Sequence, residues 1–213
     1  MQIVIENLPF LLRGAYYTLL ITVVSMFFGL IIGLLTAIAR IRGNRVLRSI
    51  ARGYVSIIRG TPPLVQIVIV YYGLVDYGIE FGPLTAAYIA LSINIGAYVS
   101  EAFRGAIESV PKGQVEAALA TGMTERQAMR RIIVPQAVRY AIPPLGNTFV
   151  GMLKETSLVS VIAVTELMRS AELLISQYYV YMPFYLAIAA MYWMMSTMFT
   201  FALHRVEKRL SVY

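Results

Sequence analysis

An almost unbroken apolar run near the start of the chain, residues 10–39, constrains the fold more than any other feature, and only Arg13 interrupts it. A helix of about 20 apolar residues crosses a bilayer, so this run is long enough to span. Of the 213 residues, 59% are hydrophobic and only 14% are charged, whereas a soluble domain carries about 25% charged residues. These features predict an all-α, polytopic helical membrane protein. They argue against disordered or fibrous chains and against an ordinary soluble enzyme.

Further apolar segments bring the number of predicted membrane spans to about five. A break at residues 59–63 interrupts the second segment, which we interpret as one kinked span because its upper half is too short to cross alone. We expect Thr61 to cap that upper half and Pro62 to lie in its first turn. The predicted spans are residues 10–39, 53–75, 83–105, a fourth from about Val138 that is interrupted at Lys154 and Glu155, and 183–203.

Charge predicts the orientation of these spans. The chain has 18 Lys and Arg against 11 Asp and Glu, and the basic residues concentrate at residues 40–52, 108–139 and 204–213. Basic loops usually lie in the cytoplasm. We therefore expect the N-terminus outside and the C-terminus in the cytoplasm, a parity that five spans satisfy.

The scarcity of reactive side chains excludes several kinds of site. The sequence contains no Cys and one His, so disulfides, a thiolate nucleophile and a His-rich metal cluster are excluded. We expect no catalytic residues, no bound metal and no nucleic-acid partner.

Residues 111–135 are too polar to cross the membrane and too apolar for a solvated loop. Helical spacing predicts two short helices separated by Gly122, with Pro111 beginning the first and Pro135 ending the second. Thr124 and Gln127 form a predicted capping box. From these residues alone, the pair could offer a docking surface or rest on lipid headgroups.

The spacing within this segment resembles the EAA loop of ABC-importer permeases. The matching residues are Glu116, Ala117, Ala118, Gly122, Ile132 and Pro135, with Val134 where the family usually has Leu. Further stretches resemble the polar amino-acid branch of that family, although Pro63 replaces a more usual Leu. Those stretches are residues 59–62, 94–101, 103–105 and 153–158.

This resemblance implies a type I importer permease, a single transmembrane domain over residues 1–213 with a coupling segment at residues 108–135. It implies a location in the bacterial inner membrane. The implied partners are ATPase subunits in the cytoplasm, an extracellular or periplasmic solute-binding protein and a second permease subunit. We favour a homodimer of the permease over a heterodimer. The sequence has no GxxxxGK[ST] pattern, so we expect this chain to bind no cofactor. We expect ATP and magnesium to bind to the separate ATPase subunits, which would catalyse hydrolysis. Carried over from the family, the ATPase-coupling residues are Glu116, Ala117, Ala118 and Gly122.

Polar residues within predicted spans are the candidate substrate ligands, because buried charge in a membrane is costly. Asn94, Tyr98 and Glu101 share one helical face, and Glu101 could meet a cationic group. The alternative is an ion pair of Glu101 with Arg104 or another arginine.

A second polar cluster could add ligands to the same cavity. Its members are Glu155, Ser157 and Ser160. The alternative interpretation places Lys154 and Glu155 at the outer membrane interface, where charge costs little.

We therefore expect an amino-acid importer that works by alternating access, with arginine, lysine or histidine as substrate because Glu101 and Glu155 are acidic. The competing interpretation is glutamine or another neutral polar amino acid, whose ammonium group also needs an acceptor. An ion-coupled carrier or channel accounts for the apolar spans but not for the coupling segment.

Overall fold

A computed structural model describes residues 2–210, and in this part of the chain the secondary structure is entirely helical. The all-α prediction is therefore confirmed. The α-helices are α1 (Gln2–Glu6), α2 (Leu8–Arg42), α3 (Arg45–Gly60), α4 (Pro63–Tyr71), α5 (Pro83–Glu108), α6 (Lys112–Ala120), α7 (Glu125–Ala128), α8 (Val134–Glu155), α9 (Leu167–Tyr178) and α10 (Met182–Leu210). Tighter 3₁₀ turns cover Gly73–Tyr77 and Thr156–Ile162, and a wider π turn covers Met129–Ile133.

Helices occupy all five predicted spans. Three of them, α2, α5 and α10, are individually long and apolar enough to cross a membrane. The consecutive helices α3 and α4 satisfy the same criteria only when taken together. Helix α8 has 22 residues, which corresponds to about 33 Å at 1.5 Å per residue. It is therefore long enough to cross a bilayer, although its sequence is more polar than those of α2, α5 and α10.

The second predicted span differs from the single kinked helix that we expected. Its two halves, Arg45–Gly60 and Pro63–Tyr77, meet at 105°, which is a corner rather than a kink. The residue that precedes α4 is Pro62 and Pro63 is its first residue, so Thr61 does not cap α4. Instead the Thr61 hydroxyl donates to the carbonyl of Ile57 at 2.9 Å, at the end of α3.

The side chain of Gln66 stabilises this corner through hydrogen bonds to α3, to Thr61 and to α5. The Gln66 amide nitrogen donates to the Ile58 carbonyl at 2.8 Å and to the Thr61 hydroxyl at 2.8 Å. Its amide oxygen accepts from Asn94 of α5 at 2.9 Å. Gln66 therefore ties both halves of the corner to a central span.

The main core includes the contact of α2 with α5, where glycines of each helix leave room for side chains of the other. A Cβ atom on Gly29 would overlap Ile95, and one on Gly33 would overlap Val99. On the facing helix, a Cβ on Gly96 would lie 2.7 Å from a methyl carbon of Ile32. Glycines four residues apart on a membrane helix permit such close approach, and they explain the intimate contact of these two spans.

Candidate functional site

The coupling segment contains two short helices joined by a tight turn. Gly122 has a φ of +80°, a left-handed conformation that favours glycine. The Gly122 amide donates to the Leu119 carbonyl at 2.9 Å, and the Met123 amide donates to the Ala118 carbonyl at 3.1 Å. This pair of bonds is a Schellman motif, and it explains physically why glycine separates the predicted helices.

The predicted capping box at the start of α7 is confirmed. The Gln127 amide donates to the Thr124 hydroxyl at 3.3 Å, and the Thr124 amide donates to the Gln127 side-chain oxygen at 2.9 Å. Both ends of the turn are thereby fixed by local hydrogen bonds, so the angle between α6 and α7 is determined by the sequence of the turn.

Helix α6 presents one side outward. Ala118 is 6% exposed and faces the protein, whereas Glu116, Ala117 and Gly122 are exposed. The outward side of α6 carries residues at helical spacing, Gly113, Glu116, Ala117 and Ala120, and all four are exposed. Because three of these residues have at most a methyl side chain, a partner could approach the α6 backbone closely.

The inner side of α6 is anchored to the bundle. A small apolar cluster of Val110, Ile133 and Ala137, with Val115 and Met129 packed against it, joins the end of α5, α6, the π turn and α8. The Gln136 side chain also donates to that of Gln114 across α6 and α8 at 3.4 Å. The segment therefore has one face for the protein and one free face.

Pro135 does not end a helix, contrary to the sequence-based expectation. The chain is helical without interruption from Glu125 to Glu155 through α7, the π turn and α8. Pro135 is the second residue of α8, where a missing N–H is tolerated because the wider hydrogen-bonding of the preceding π turn ends there. A single continuous rod therefore links the coupling segment to a span.

The structure places Glu101 in the alternative arrangement considered above, an ion pair. Its carboxylate contacts the guanidinium of Arg40, from α2, and that of Arg104, from its own helix, the latter at 2.7 Å. Two arginines thus surround one carboxylate. Its assignment to a substrate pocket stays a prediction.

Asn94 and Tyr98 do not share this environment. Asn94 is 1% exposed and donates to Gln66, and its own side-chain oxygen is buried without a hydrogen-bond partner in the described residues. Tyr98 is 38% exposed, and the guanidinium of Arg59 lies over its ring at 5.3 Å. The three residues predicted to share one face of α5, Asn94, Tyr98 and Glu101, therefore lie in three different environments.

The second predicted cluster lies where α8 passes into the following 3₁₀ turn. Ser157 donates to the carbonyl of Lys154 at 2.8 Å, and Ser160 is buried. Lys154 is exposed and Glu155 is half-buried, and among residues 2–210 no basic group lies within salt-bridge distance of Glu155. A substrate role for Glu155, Ser157 and Ser160 stays a prediction.

The sequence did not reveal a buried acid, Glu166, which organises the opposite end of the bundle. Glu166 is 0% exposed and precedes α9, where its carboxylate accepts from the amides of Met168 and Arg169 at 2.9 and 2.8 Å. It also accepts from the Tyr192 hydroxyl at 2.7 Å and the Thr18 hydroxyl at 3.3 Å. The local signal in the sequence was an acid just before a segment of helical periodicity, where the helix dipole favours negative charge.

Comparison with known proteins connects these features to transport. Residues 29–212 match the family described as binding-protein-dependent transport system inner membrane component. The chain is 44% identical over 209 residues to the L-cystine transport system permease protein TcyB of Bacillus subtilis, an alignment that covers 96% of this chain and 88% of TcyB. It is 37% identical over 207 residues to the glutamine transport system permease protein GlnP of Escherichia coli, which covers 96% of this chain and 94% of GlnP.

Solved structures give the same result. An amino acid ABC transporter crystallised with histidines superimposes with a TM-score of 0.94 at 39% identity, and the match covers 96% of both chains. The MetNI methionine ABC transporter shares the fold, with a TM-score of 0.80 at 21% identity. The chain therefore belongs to the family of binding-protein-dependent transport system inner membrane components, and within it to the permeases of amino-acid ABC transporters.

Proposed function

We propose that the coupling segment docks on a separate ATPase subunit and passes its movement to the spans. The observation that carries this proposal is the continuous helical rod from Glu125 to Glu155, which begins beside the free face of α6. Small side chains at Gly113, Ala117 and Ala120 leave room for a partner surface, and Glu116 adds one negative charge there. ATP and magnesium would then be bound by the partner.

Replacing a small outward residue tests this docking. Ala117→Trp should leave membrane insertion and thermal stability unchanged, because Ala117 is exposed. It should lower co-purification of the ATPase and abolish ATP-driven uptake, because the large ring separates the two surfaces. Ala117→Ser, which preserves the size, is the matched control and should behave as the unmodified chain. Normal uptake by a correctly inserted Ala117→Trp protein would remove the coupling assignment.

We further propose that the substrate is a polar amino acid recognised as a zwitterion, with no requirement for a cationic side chain. Glu101, one of the two acids that would favour a basic substrate, is ion-paired with Arg40 and Arg104. The relatives TcyB and GlnP are named for L-cystine and glutamine, which have no net positive charge. These points favour the competing interpretation over arginine, lysine or histidine.

A basic amino acid remains the second candidate because of Glu155. This half-buried acid has no salt-bridge partner among residues 2–210, so its charge is available to a cationic group. The presence of histidines in the related solved transporter is consistent with that chemistry.

An uptake panel with the reconstituted complex and its binding protein separates the two candidates. Our first proposal expects ATP-driven uptake of L-glutamine or L-cystine that Glu155→Gln does not alter. The second candidate expects uptake of arginine, lysine or histidine, with a KM that Glu155→Gln raises about fivefold to 150-fold, equivalent to about 1–3 kcal/mol for a lost charged partner. Accumulation of basic amino acids alone would overturn the first proposal.

We infer the orientation and the assembly as follows. Arg42 lies beside Arg126 and Arg130 of the coupling segment, and Arg48 and Arg52 of α3 lie beside the last turns of α5. The positive-inside rule assigns this basic end of the bundle to the cytoplasm. This assignment leaves the N-terminus outside and the C-terminus inside. A homodimeric permease supplied by an external solute-binding protein completes the proposed importer.

A further inference from the structure

An apolar groove lies beside the coupling segment, between α2, α5 and the beginning of α8. Its volume is about 450 Å³. The walls come from the last turns of two spans and the first turns of a third, so the groove extends along the bundle from its basic end. Its apolar walls include Leu34, Ile38, Phe103, Met129, Val134 and Val138.

Three arginines surround the mouth of this groove: Arg42 at the end of α2, Arg126 in α7 and Arg130 in the π turn. In the described part of the chain, no carboxylate lies within 4 Å of any of the three. By contrast, Arg40 and Arg104 on the neighbouring side are paired with Glu101. The mouth therefore combines three uncompensated positive charges with an adjoining apolar surface.

The outer edges of the groove are accessible from the side of the bundle. Leu34 is 47% exposed and Ile38 49% exposed on α2, and Val134 is 42% exposed and Val138 53% exposed on α8. Because α2 and α5 are long and apolar enough to cross a bilayer, hydrocarbon is the environment that suits these exposed apolar edges, and the arginines next to them suit the headgroup layer. A hydrocarbon chain can enter the groove directly from the bilayer.

We propose that this groove binds one anionic phospholipid, with an acyl chain along its apolar walls and the phosphate at Arg42, Arg126 and Arg130. Basic pockets between membrane helices recognise the headgroups of anionic lipids in this way. A zwitterionic lipid brings an ammonium group together with its phosphate and so adds no net negative charge, whereas an anionic lipid compensates one of the three positive charges. The site goes beyond the proposed transport function, and its occupancy requires neither ATP nor substrate.

Lipid selectivity measures the contribution of the arginines. Spin-labelled phosphatidylglycerol and spin-labelled phosphatidylcholine are added to the purified transporter complex in phosphatidylcholine liposomes, and electron paramagnetic resonance gives the immobilised fraction of each. We expect phosphatidylglycerol to be preferred. Each of Arg126→Gln and Arg130→Gln should lower that preference about fivefold, equivalent to about 1 kcal/mol per arginine near the membrane surface.

A matched control separates the groove from general surface charge. Arg45→Gln removes the same charge from an exposed position at the same end of the bundle, outside the residues that line the groove. It should leave the preference within about twofold of the unmodified complex, because Arg45 does not line the groove and salt screens an exposed charge outside the binding site. An equal fall in Arg45→Gln and Arg126→Gln, or no fall in Arg126→Gln and Arg130→Gln, would overturn the proposal.

Filling the apolar part tests the acyl-chain half of the site. Val138→Trp places a ring in the groove and should reduce the phosphatidylglycerol preference, whereas Tyr140→Trp, on an exposed part of α8 outside the lining residues, should not. A photoreactive amino acid introduced in place of Val138 should cross-link to phosphatidylglycerol. Capture of a second permease copy or of the ATPase at this position, with no lipid, would show that a protein covers the groove and would overturn the proposal.

Discussion

At the residue scale, the clearest structural role belongs to Glu166. Its buried carboxylate has no salt-bridge partner among residues 2–210. It is stabilised instead by the first amides of α9, where the helix dipole favours negative charge, and by two hydroxyls. Those hydroxyls come from Thr18 of α2 and Tyr192 of α10. A single acid therefore joins three helices at the end of the bundle opposite the coupling segment.

Tyr192→Phe tests the strength of this junction. The change removes a 2.7 Å hydrogen bond to a carboxylate and leaves Glu166 buried with one donor fewer. We expect the free energy of unfolding in detergent to fall by about 1–2 kcal/mol, because hydrogen bonds to charged groups exceed the modest average found in membranes.

The control for this prediction is Tyr185→Phe in the same helix. Tyr185 is 38% exposed, so loss of its hydroxyl should change stability little. Equal melting temperatures for Tyr192→Phe and the unmodified chain would show that the Tyr192 bond contributes no net stability.

Residue-scale predictions from sequence succeeded where the chemistry is local. The capping box of Thr124 and Gln127 and the turn at Gly122 depend on residues within a few positions of one another. Of the two partners of Glu101, Arg104 lies three positions away and was named from the sequence as an alternative. The other, Arg40, lies 61 positions away, and sequence spacing does not report such a contact. For the same reason Glu166 escaped notice, since its burial depends on how α2, α9 and α10 pack.

At the element scale, small residues decide how the spans approach one another. Gly29 and Gly33 lie one helical turn apart on the face of α2 that meets Ile95 and Val99 of α5. Apolar burial contributes little to association within a bilayer, where lipid is as apolar as the core, so close packing provides much of the attraction. A methyl group at this contact would force the two helices apart.

Gly29→Ala should therefore destabilise the fold by about 1–3 kcal/mol, the usual cost of overpacking a well-packed contact. Gly151→Ala is the matched control in α8, because a Cβ there meets nothing within 4 Å and alanine favours the helix. Thermal unfolding of both variants in the same detergent checks the expectation. If Gly29→Ala is as stable as Gly151→Ala, the α2–α5 contact must be able to adjust to the added methyl.

The hydropathy of the sequence predicted where the apolar helices lie but not the angles between consecutive helices. Each apolar run falls on helix in the structure, and α2, α5 and α10 are individually long and apolar enough to cross a membrane, because hydrophobic length is a property of the local sequence. The 105° corner between α3 and α4 was underestimated, since the angle depends on the brace that Gln66 forms with Asn94 of α5. The continuation through Pro135 depends on a π turn that composition does not indicate.

At the scale of the whole molecule, the coupling segment and the first part of α8 form one unit. The cluster of Val110, Ile133 and Ala137, together with the contact of Gln114 with Gln136, fixes α6 against α8. We expect these elements to move together during transport, with displacement occurring relative to the rest of the bundle.

The absence of native cysteines makes this expectation simple to test. Cysteines introduced by Gln114→Cys and Gln136→Cys should be joined by a short bismaleimide, and the cross-linked complex should retain most of its ATP-driven uptake. Each single variant, treated in the same way, controls for chemical modification. Loss of uptake only in the cross-linked double variant would show that α6 moves relative to α8 during the cycle.

The prolines of α8 have a mechanical consequence. Pro143 and Pro144 lie inside the helix, so two neighbouring amide donors are missing at one level, where helices bend most readily. Helix α8 should therefore be stiff on either side of Pro143 and Pro144 and more flexible at these two residues. If an ATPase moves the coupling segment, as we propose, α8 should bend mainly at these two prolines.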